Sequence, residues 1–288
     1  MSLDLDTRTL PPGLHRTISW DGYLALDAIG SSELDRLAIS PLHYRWTMNA
    51  PREETDATAL GTALHSMLLE PREFGMTHCC EPDPDELAPD ARVPRATKAY
   101  KEAVTALTDV GMRVMRTDAW RAVHAMKDSI LAHRHARKLL ERAPERELTL
   151  LWDRDGRSCR GRADALGDSL LVDVKTTRSL KTFSPFAITN MGYYRQAGWY
   201  VDGLNRLGRE IGHVFFIAIE NTPPFDVGVF ALDPGAVLAG QMECTRLLEL
   251  LSECMATGTW PGMFPEIQPG MLSDAAASQL AALDEEIG

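Results

Sequence analysis

Five cysteines in 288 residues are too few and too scattered for a disulfide framework. A stapled secreted fold is therefore excluded, and a reducing, cytoplasmic setting is expected. No apolar run approaches the roughly 18 residues a membrane span needs, so neither a membrane-spanning helix nor a membrane partner is expected. The first residues, MSLDLDTRTLPPGL, place acids where a secretory signal needs bases and contain no apolar core, so no signal peptide is expected. No internal repeat is visible. Positive charge is also short: 30 Lys and Arg stand against 41 Asp and Glu, a net charge of −11, which is unusual for a general nucleic-acid binder. What remains, 44% hydrophobic and 25% charged, is an ordinary globular balance and excludes a disordered or fibrous chain.

The charge deficit is not uniform. Between Arg92 and Arg146 thirteen Lys and Arg face six Asp and Glu, a local charge of +7, so the remainder carries −11 − 7 = −18. This stretch includes Arg113, Arg116, Arg121, Lys127, Arg134, Arg137 and Lys138, which are candidates for contact with a polyanion such as DNA; a solvated helix face is the competing reading. His133 and His135 in the same stretch are two apart, do not share a helix face, and are expected to be solvated.

Residues 1–20, with Pro11-Pro12-Gly13 and no period, read as an irregular arm. Ser31-Ser32-Glu33 and Ser40-Pro41 read as helix starts. Leu60, Leu64, Met67 and Leu68 recur at helical spacing over Asp56–Glu70, with Pro71 as the stop. Residues 76–97, rich in Pro and acids, read as a surface loop, and Lys98–Ala143 as helical. The texture then changes. ELTLLWD, SCRGRADAL and SLLVDVK are short runs separated by Asp155-Gly156 and Gly167-Asp168, strong hairpin signals that predict an antiparallel meander. A helix over 185–206, two strands (212–220 and 225–232) and a helix begun by Asp233-Pro234 follow. The expected class is α/β: a central mixed sheet flanked by helices, behind a helical N-terminal half.

The chemistry centres on Asp173-Val174-Lys175, the sole acid-x-Lys triplet in a chain with only six Lys. On a strand, residues two apart face the same way, so Asp173 and Lys175 project together. Asp164, nine residues earlier, is brought towards them by the intervening turn. Two close carboxylates repel unless a proton or cation lies between them. Hard oxygen ligands suit Mg²⁺ or Mn²⁺, and a Lys beside a metal-bound water completes a set able to hydrolyse a phosphodiester. A structural Asp–Lys pair with an unrelated turn Asp would give the same spacing. Gln196 and Tyr200 are four apart and share a helix face, and Gly198 between them allows close approach of another backbone. His65 follows Gly61 by four residues beside an apolar stripe, where a lone His is commonly a core or surface residue.

Taken in order, these residues read G-x(3)-H, G-R-A-D, D-V-K and Q-x(3)-Y. The set resembles the PD-(D/E)XK nuclease superfamily, and more closely the RecE-type (exodeoxyribonuclease VIII-like) exonucleases of phages and prophages, relatives of the RecB and AddB nuclease domains. The segments Ile29-Gly-Ser-Ser-Glu-Leu, Ser40-Pro41-Leu-His43-Tyr44 and Gly61–Pro71 are similar to that group's N-terminal part. One departure is Ala163-Asp164 where the family has Pro-Asp.

The resemblance implies a PD-(D/E)XK (restriction-endonuclease-like) nuclease domain over 21–265, with a helical part at 21–146, a catalytic sheet core at 147–256, and an acidic tail at 266–288. It implies Mg²⁺ or Mn²⁺ held by His65, Asp164, Asp173 and the main-chain carbonyl of Val174. Lys175 would assist the attacking water, Gln196 and Tyr200 would position Lys175 or the substrate strand, and Glu147 is a candidate supporting acid behind the ligands. The implied activity is exonucleolytic hydrolysis from double-stranded DNA ends, 5′ to 3′, by a homo-oligomeric ring that leaves 3′ strands for a phage single-strand annealing recombinase in a bacterial host. An endonuclease of the same fold and a non-catalytic DNA-binding relative are the alternatives. The iron–sulfur subgroup of RecB-like domains needs three Cys clustered after the Q-x(3)-Y helix; only Cys244 and Cys254 follow it here, so no cluster is expected.

Overall fold

The computed structural model describes residues 10–48, 55–183 and 187–266. The meander forms as the turn chemistry predicts. Strands β4 (Glu145–Arg154) and β5 (Arg157–Leu166) pair antiparallel. Asp155 and Gly156 between them adopt φ values of 53° and 74°, the left-handed pair that a tight hairpin needs. Strand β6 (Leu170–Thr177) adds antiparallel to β5. The chain then crosses over through α11 (Tyr193–Arg206) to β7 (His213–Glu220), which runs parallel to β6; β8 (Val227–Ala231) returns antiparallel. With β1 (Gly13–His15) on the far edge, the order is β1-β4-β5-β6-β7-β8. The sheet is mixed, with β6–β7 as its parallel pair.

Side-chain alternation places a core on each face. Val214, Phe216 and Ala218 of β7 pack on one side with Leu148, Leu150 and Trp152 of β4, Trp199 of α11, Leu34 of α2 (Ser31–Ile39), and Leu247 and Leu251 of α12 (Pro234–Thr257). Ile217 and Ile219 pack on the other with Val172 and Val174 of β6. There they meet Leu64 of α4 (Asp56–Leu69), Val123, Met126 and Ile130 of α8 (Thr117–Ala132), and Leu139 and Leu140 of α9 (Arg134–Arg142).

Two local readings change. The arm is not irregular throughout: Gly13–His15 pairs with Thr149–Leu151 as an edge strand, and Trp20–Ala25 forms α1 with Ser19 as its cap. Helix α4 stops at Leu69, ahead of Pro71 as expected, and Pro71 then opens a separate short helix at Pro71–Thr77, because Pro is well suited to a first helical turn. The helical reading of 98–143 is interrupted by Arg113–Met115, which pairs parallel with His78–Cys80. Three-residue strands are too short to show a period. Residues 1–9 of the arm and 267–288 of the acidic tail lie outside the described residues. No described helix is long and apolar enough to cross a membrane.

Candidate active site

The site lies where the sheet comes apart. Strands β5 and β6 pair only at Ala165↔Val172 and Leu166↔Leu171. At the next position the ladder is replaced by a side chain: the Val174 N–H donates to Asp164 Oδ2 at 2.7 Å. Alternation in β5 also slips here, since Ala163 and Leu166 belong to one core and Ala165 to the other. On β4, Arg146 pairs with Ala165 and Leu148 with Ala163, so Glu147 falls opposite Asp164. Glu147 has φ 45°, a left-handed conformation that costs a non-glycine residue on the order of 1–3 kcal/mol.

Helix α4 brings His65 onto this break. Gly61, one turn earlier, faces β6, where a Cβ would meet Thr176 Oγ1 at 3.4 Å, an ordinary contact. His65 Nε2 bonds the Val174 carbonyl at 2.9 Å. Its Nδ1 lies 3.6 Å from Asp164 Oδ2 and 3.8 Å from Glu147 Oε1. Ligand atoms of His65, Glu147 and Asp164 all fall within 4.8 Å of one another.

Asp173 and Lys175 share a face, as strand geometry requires. Lys175 Nζ pairs with Asp173 Oδ2 at 2.7 Å. Nζ also donates to Gln196 Oε1 at 2.8 Å and lies 4.9 Å from the Tyr193 ring centroid. Gln196 Nε2 in turn donates to the Tyr200 hydroxyl at 3.1 Å. Gly161 clears space for the Tyr200 ring, which a Cβ would approach to 2.9 Å. Gly198 does what the sequence suggested: a Cβ there would lie 2.5 Å from the backbone nitrogen of Gln241 on α12.

Burial works against charge on His65, but the carboxylates of Asp164, Glu147 and Asp173 outweigh it and hold its pKa up at about 9. Burial, together with Asp173 and Glu147, raises Asp164 against the pull of His65. Lys175 is also desolvated, yet Asp173 and Asp164 raise its pKa and keep it protonated. Three acids thus converge on a pocket in which an imidazolium and an ammonium supply the balancing charge. This donor set fits a hard divalent cation: carboxylate oxygens, a carbonyl and an imidazole.

Arg162, which the sequence reading left unassigned, is buried beside the cluster. Its Nε donates to Glu147 Oε2 at 2.6 Å and its Nη1 to the Ile18 carbonyl at 2.9 Å. Its place between Gly161 and Asp164 was the available signal, since an inward-facing Arg on a strand needs an acid. The basic candidates lie elsewhere. Arg113, Arg116, Arg121, Arg134, Arg137 and Lys138 are exposed and Lys127 partly so, mostly on the outer sides of α8 and α9. Arg116, Lys127 and Arg137 face Asp118, Asp128 and Glu141. Among the described residues, none of the seven pairs with the cluster.

A sheet split at an Asp–x–Lys strand, with a second Asp on the neighbouring strand and flanking helices on both faces, defines a PD-(D/E)XK-type domain. The chain belongs to the family described as PDDEXK-like domain of unknown function (DUF3799), which it matches over residues 30–268. A crystal structure named "Putative exonuclease", from Eubacterium rectale, superposes with a TM-score of 0.54 at 11% identity over 89% of this chain and 93% of that one; at that identity the likeness is one of fold. A crystal structure of SSO0001 aligns over 84% of this chain and 98% of that one at 16% identity, but its TM-score of 0.28 is too low to argue a shared fold. No curated protein matches.

Proposed function

We propose that the protein is a metal-dependent DNA exonuclease that hydrolyses phosphodiester bonds from double-stranded ends. The observation that carries this reading is the meeting of Asp164, His65 and the Val174 carbonyl at the β5–β6 break, with Asp173 and Lys175 beside them. His65, Asp164, Asp173 and the Val174 carbonyl would hold Mg²⁺ or Mn²⁺. When bound, such an ion supplies polarisation of a phosphoryl oxygen and a lowered pKa for an attacking water.

The side chains supply the rest. Lys175, held protonated, is a hydrogen-bond donor to the attacking oxygen or to the charge developing on the phosphoryl group. It is not a base. Gln196 fixes the direction of Nζ, and Tyr200 fixes Gln196. The outer faces of α8 and α9 offer a basic track for the phosphate backbone away from the acidic pocket, which reconciles a net charge of −11 with a polyanionic substrate. Digestion from 5′ to 3′, a ring around the product strand and delivery of 3′ strands to an annealing recombinase belong to the same reading, through the family resemblance.

The test is digestion of end-labelled linear duplex, with and without Mg²⁺, beside a covalently closed circle. Linear duplex should shorten only with metal, and the circle should survive. Lys175→Ala should abolish cleavage while the circular dichroism spectrum stays unchanged. A cut circle would replace this reading with an endonuclease, and wild-type digestion by the Lys175 variant would overturn the role given to that residue.

A further inference from the structure

Glu147 occupies a backbone conformation that suits it poorly. A φ of 45° in the middle of a strand is tolerated by Gly, Asn or Asp, and is uncommon for a residue with a longer side chain. The longer side chain reaches one methylene further than Asp or Asn would. The kink turns the carboxylate inwards, opposite Asp164, and its two oxygens are used differently. Oε2 is committed to Arg162 Nε at 2.6 Å. Oε1 is 3.8 Å from His65 Nδ1, inside the 4.8 Å cluster formed with Asp164. Arg162 is itself fixed, because it also reaches the Ile18 carbonyl at 2.9 Å and Thr149 Oγ1 at 3.4 Å. Next to this group, Asp173 Oδ2 is paired with Lys175 Nζ at 2.7 Å.

We infer that Glu147 is a direct ligand of the divalent cation, contributed by β4 through Oε1, and that Arg162 is the positioning residue that decides which of its oxygens faces the ion. The inference rests on the metal-dependent reading of the site. It adds a fourth protein side chain to the expected set of His65, Asp164 and Asp173, and turns an acid expected behind the ligands into one of them.

The test is Mn²⁺ binding to the full chain without DNA, by calorimetry and by the loss of free-Mn²⁺ electron paramagnetic resonance signal. Glu147→Gln keeps an oxygen that can accept from Arg162 but loses the charge, and should weaken Mn²⁺ by more than about 100-fold; a loss of only about 10- to 100-fold is what a supporting acid behind the ligands would give, and would overturn direct ligation. Glu147→Asp suits the left-handed backbone better, keeps the charge and withdraws the oxygens by one methylene. It should weaken Mn²⁺ as well, and it serves if the Gln variant fails to fold. Arg162→Met separates positioning from electrostatics: removing a cation makes the pocket more negative and should tighten Mn²⁺, whereas loss of positioning should weaken it. Weaker binding supports the inference. If wild type binds Mn²⁺ and both Glu147 variants match it, Glu147 is not a ligand, while the metal-dependent reading stands. If wild type binds no Mn²⁺ under conditions where it is folded, both fall together.

Discussion

Gly161→Ala isolates the contact on which the Lys175 chain rests. Gly161 does not have a left-handed φ, so the backbone accepts alanine and the cost is steric alone. The new Cβ would lie 2.9 Å from Tyr200 Cδ1 and 3.0 Å from Cε1. Normal carbon–carbon contact is roughly 3.5–4.0 Å, so the ring must withdraw by about 0.5–1 Å. Tyr200 is only 5% exposed and cannot swing into solvent, so the overpacking should cost about 1–3 kcal/mol. At a chain of this size each kcal/mol lowers Tm by roughly 2–4 °C. The displacement passes to Gln196 and from there to Lys175. A misplacement near 1 Å at a reacting group costs up to about 10²-fold in rate. Gly75→Ala is the internal control: it lies in the helix at Pro71–Thr77 with nothing within 4 Å of the added carbon, and should be neutral or stabilising by about 0.5–1 kcal/mol. The two variants are compared by thermal unfolding and by initial rates of duplex digestion. A Gly161 variant with wild-type Tm and rate would refute the claim that this glycine makes room for the Tyr200–Gln196–Lys175 chain.

Gly198→Ala should be harsher than Gly161→Ala, because its carbon meets the backbone of α12 at 2.5 Å and backbone cannot rotate away; unfolding midpoints that rank the other way would contradict the close approach of α11 to α12. Acid should act through Glu81, which accepts from Arg95, from the Tyr100 hydroxyl and from the N–H and hydroxyl of Thr117. These bonds, Arg95 first, hold its carboxyl well below the ordinary value of 4.5. A depressed folded pKa means that its contribution is fully present above that value and disappears as pH falls through the folded pKa. The stability gap between wild type and Glu81→Gln should therefore shrink from about pH 6 to about pH 3; a constant gap would count against a charged role. Asp164→Ala leaves the buried Val174 N–H without an acceptor and should cost about 1–3 kcal/mol, whereas Asp164→Asn keeps an acceptor and should cost less. Equal losses in urea unfolding would show that this bond does not support the fold.

What the sequence made legible follows from the length of the signal. The β4–β5–β6 meander was readable because Asp155-Gly156 and Gly167-Asp168 carry turn chemistry in two residues each, and the pairing of Asp173 with Lys175 because strand period is two. Gly198 announced a close approach through size alone. The edge strand Gly13–His15 and the pair at 78–80 and 113–115 were not readable, since three residues define no period and their partners lie far along the chain. Arg162 and the geometry of Glu147 were hidden for a different reason. Nothing local marks Glu147 as left-handed; its conformation exists because Asp164, His65 and Arg162 surround it, and these come together only when α4 is laid on the sheet. Composition marks the basic stretch as charged but gives no direction, and its seven candidate residues stand apart from the pocket.

The break between β5 and β6 explains why the fold and the candidate chemistry use the same atoms. A sheet that stops pairing in its interior leaves backbone N–H and C=O groups that must find other partners. Here the Val174 N–H takes the Asp164 carboxylate and the Val174 carbonyl takes His65. Polar side chains are therefore required at the break by backbone accounting alone. Once two carboxylates and an imidazole have been drawn into a buried gap, their charges must be balanced from within it. The raised pKa values of His65 and Lys175 are that balance. The opening of the sheet is thus what gathers the acids and their balancing cations in one place.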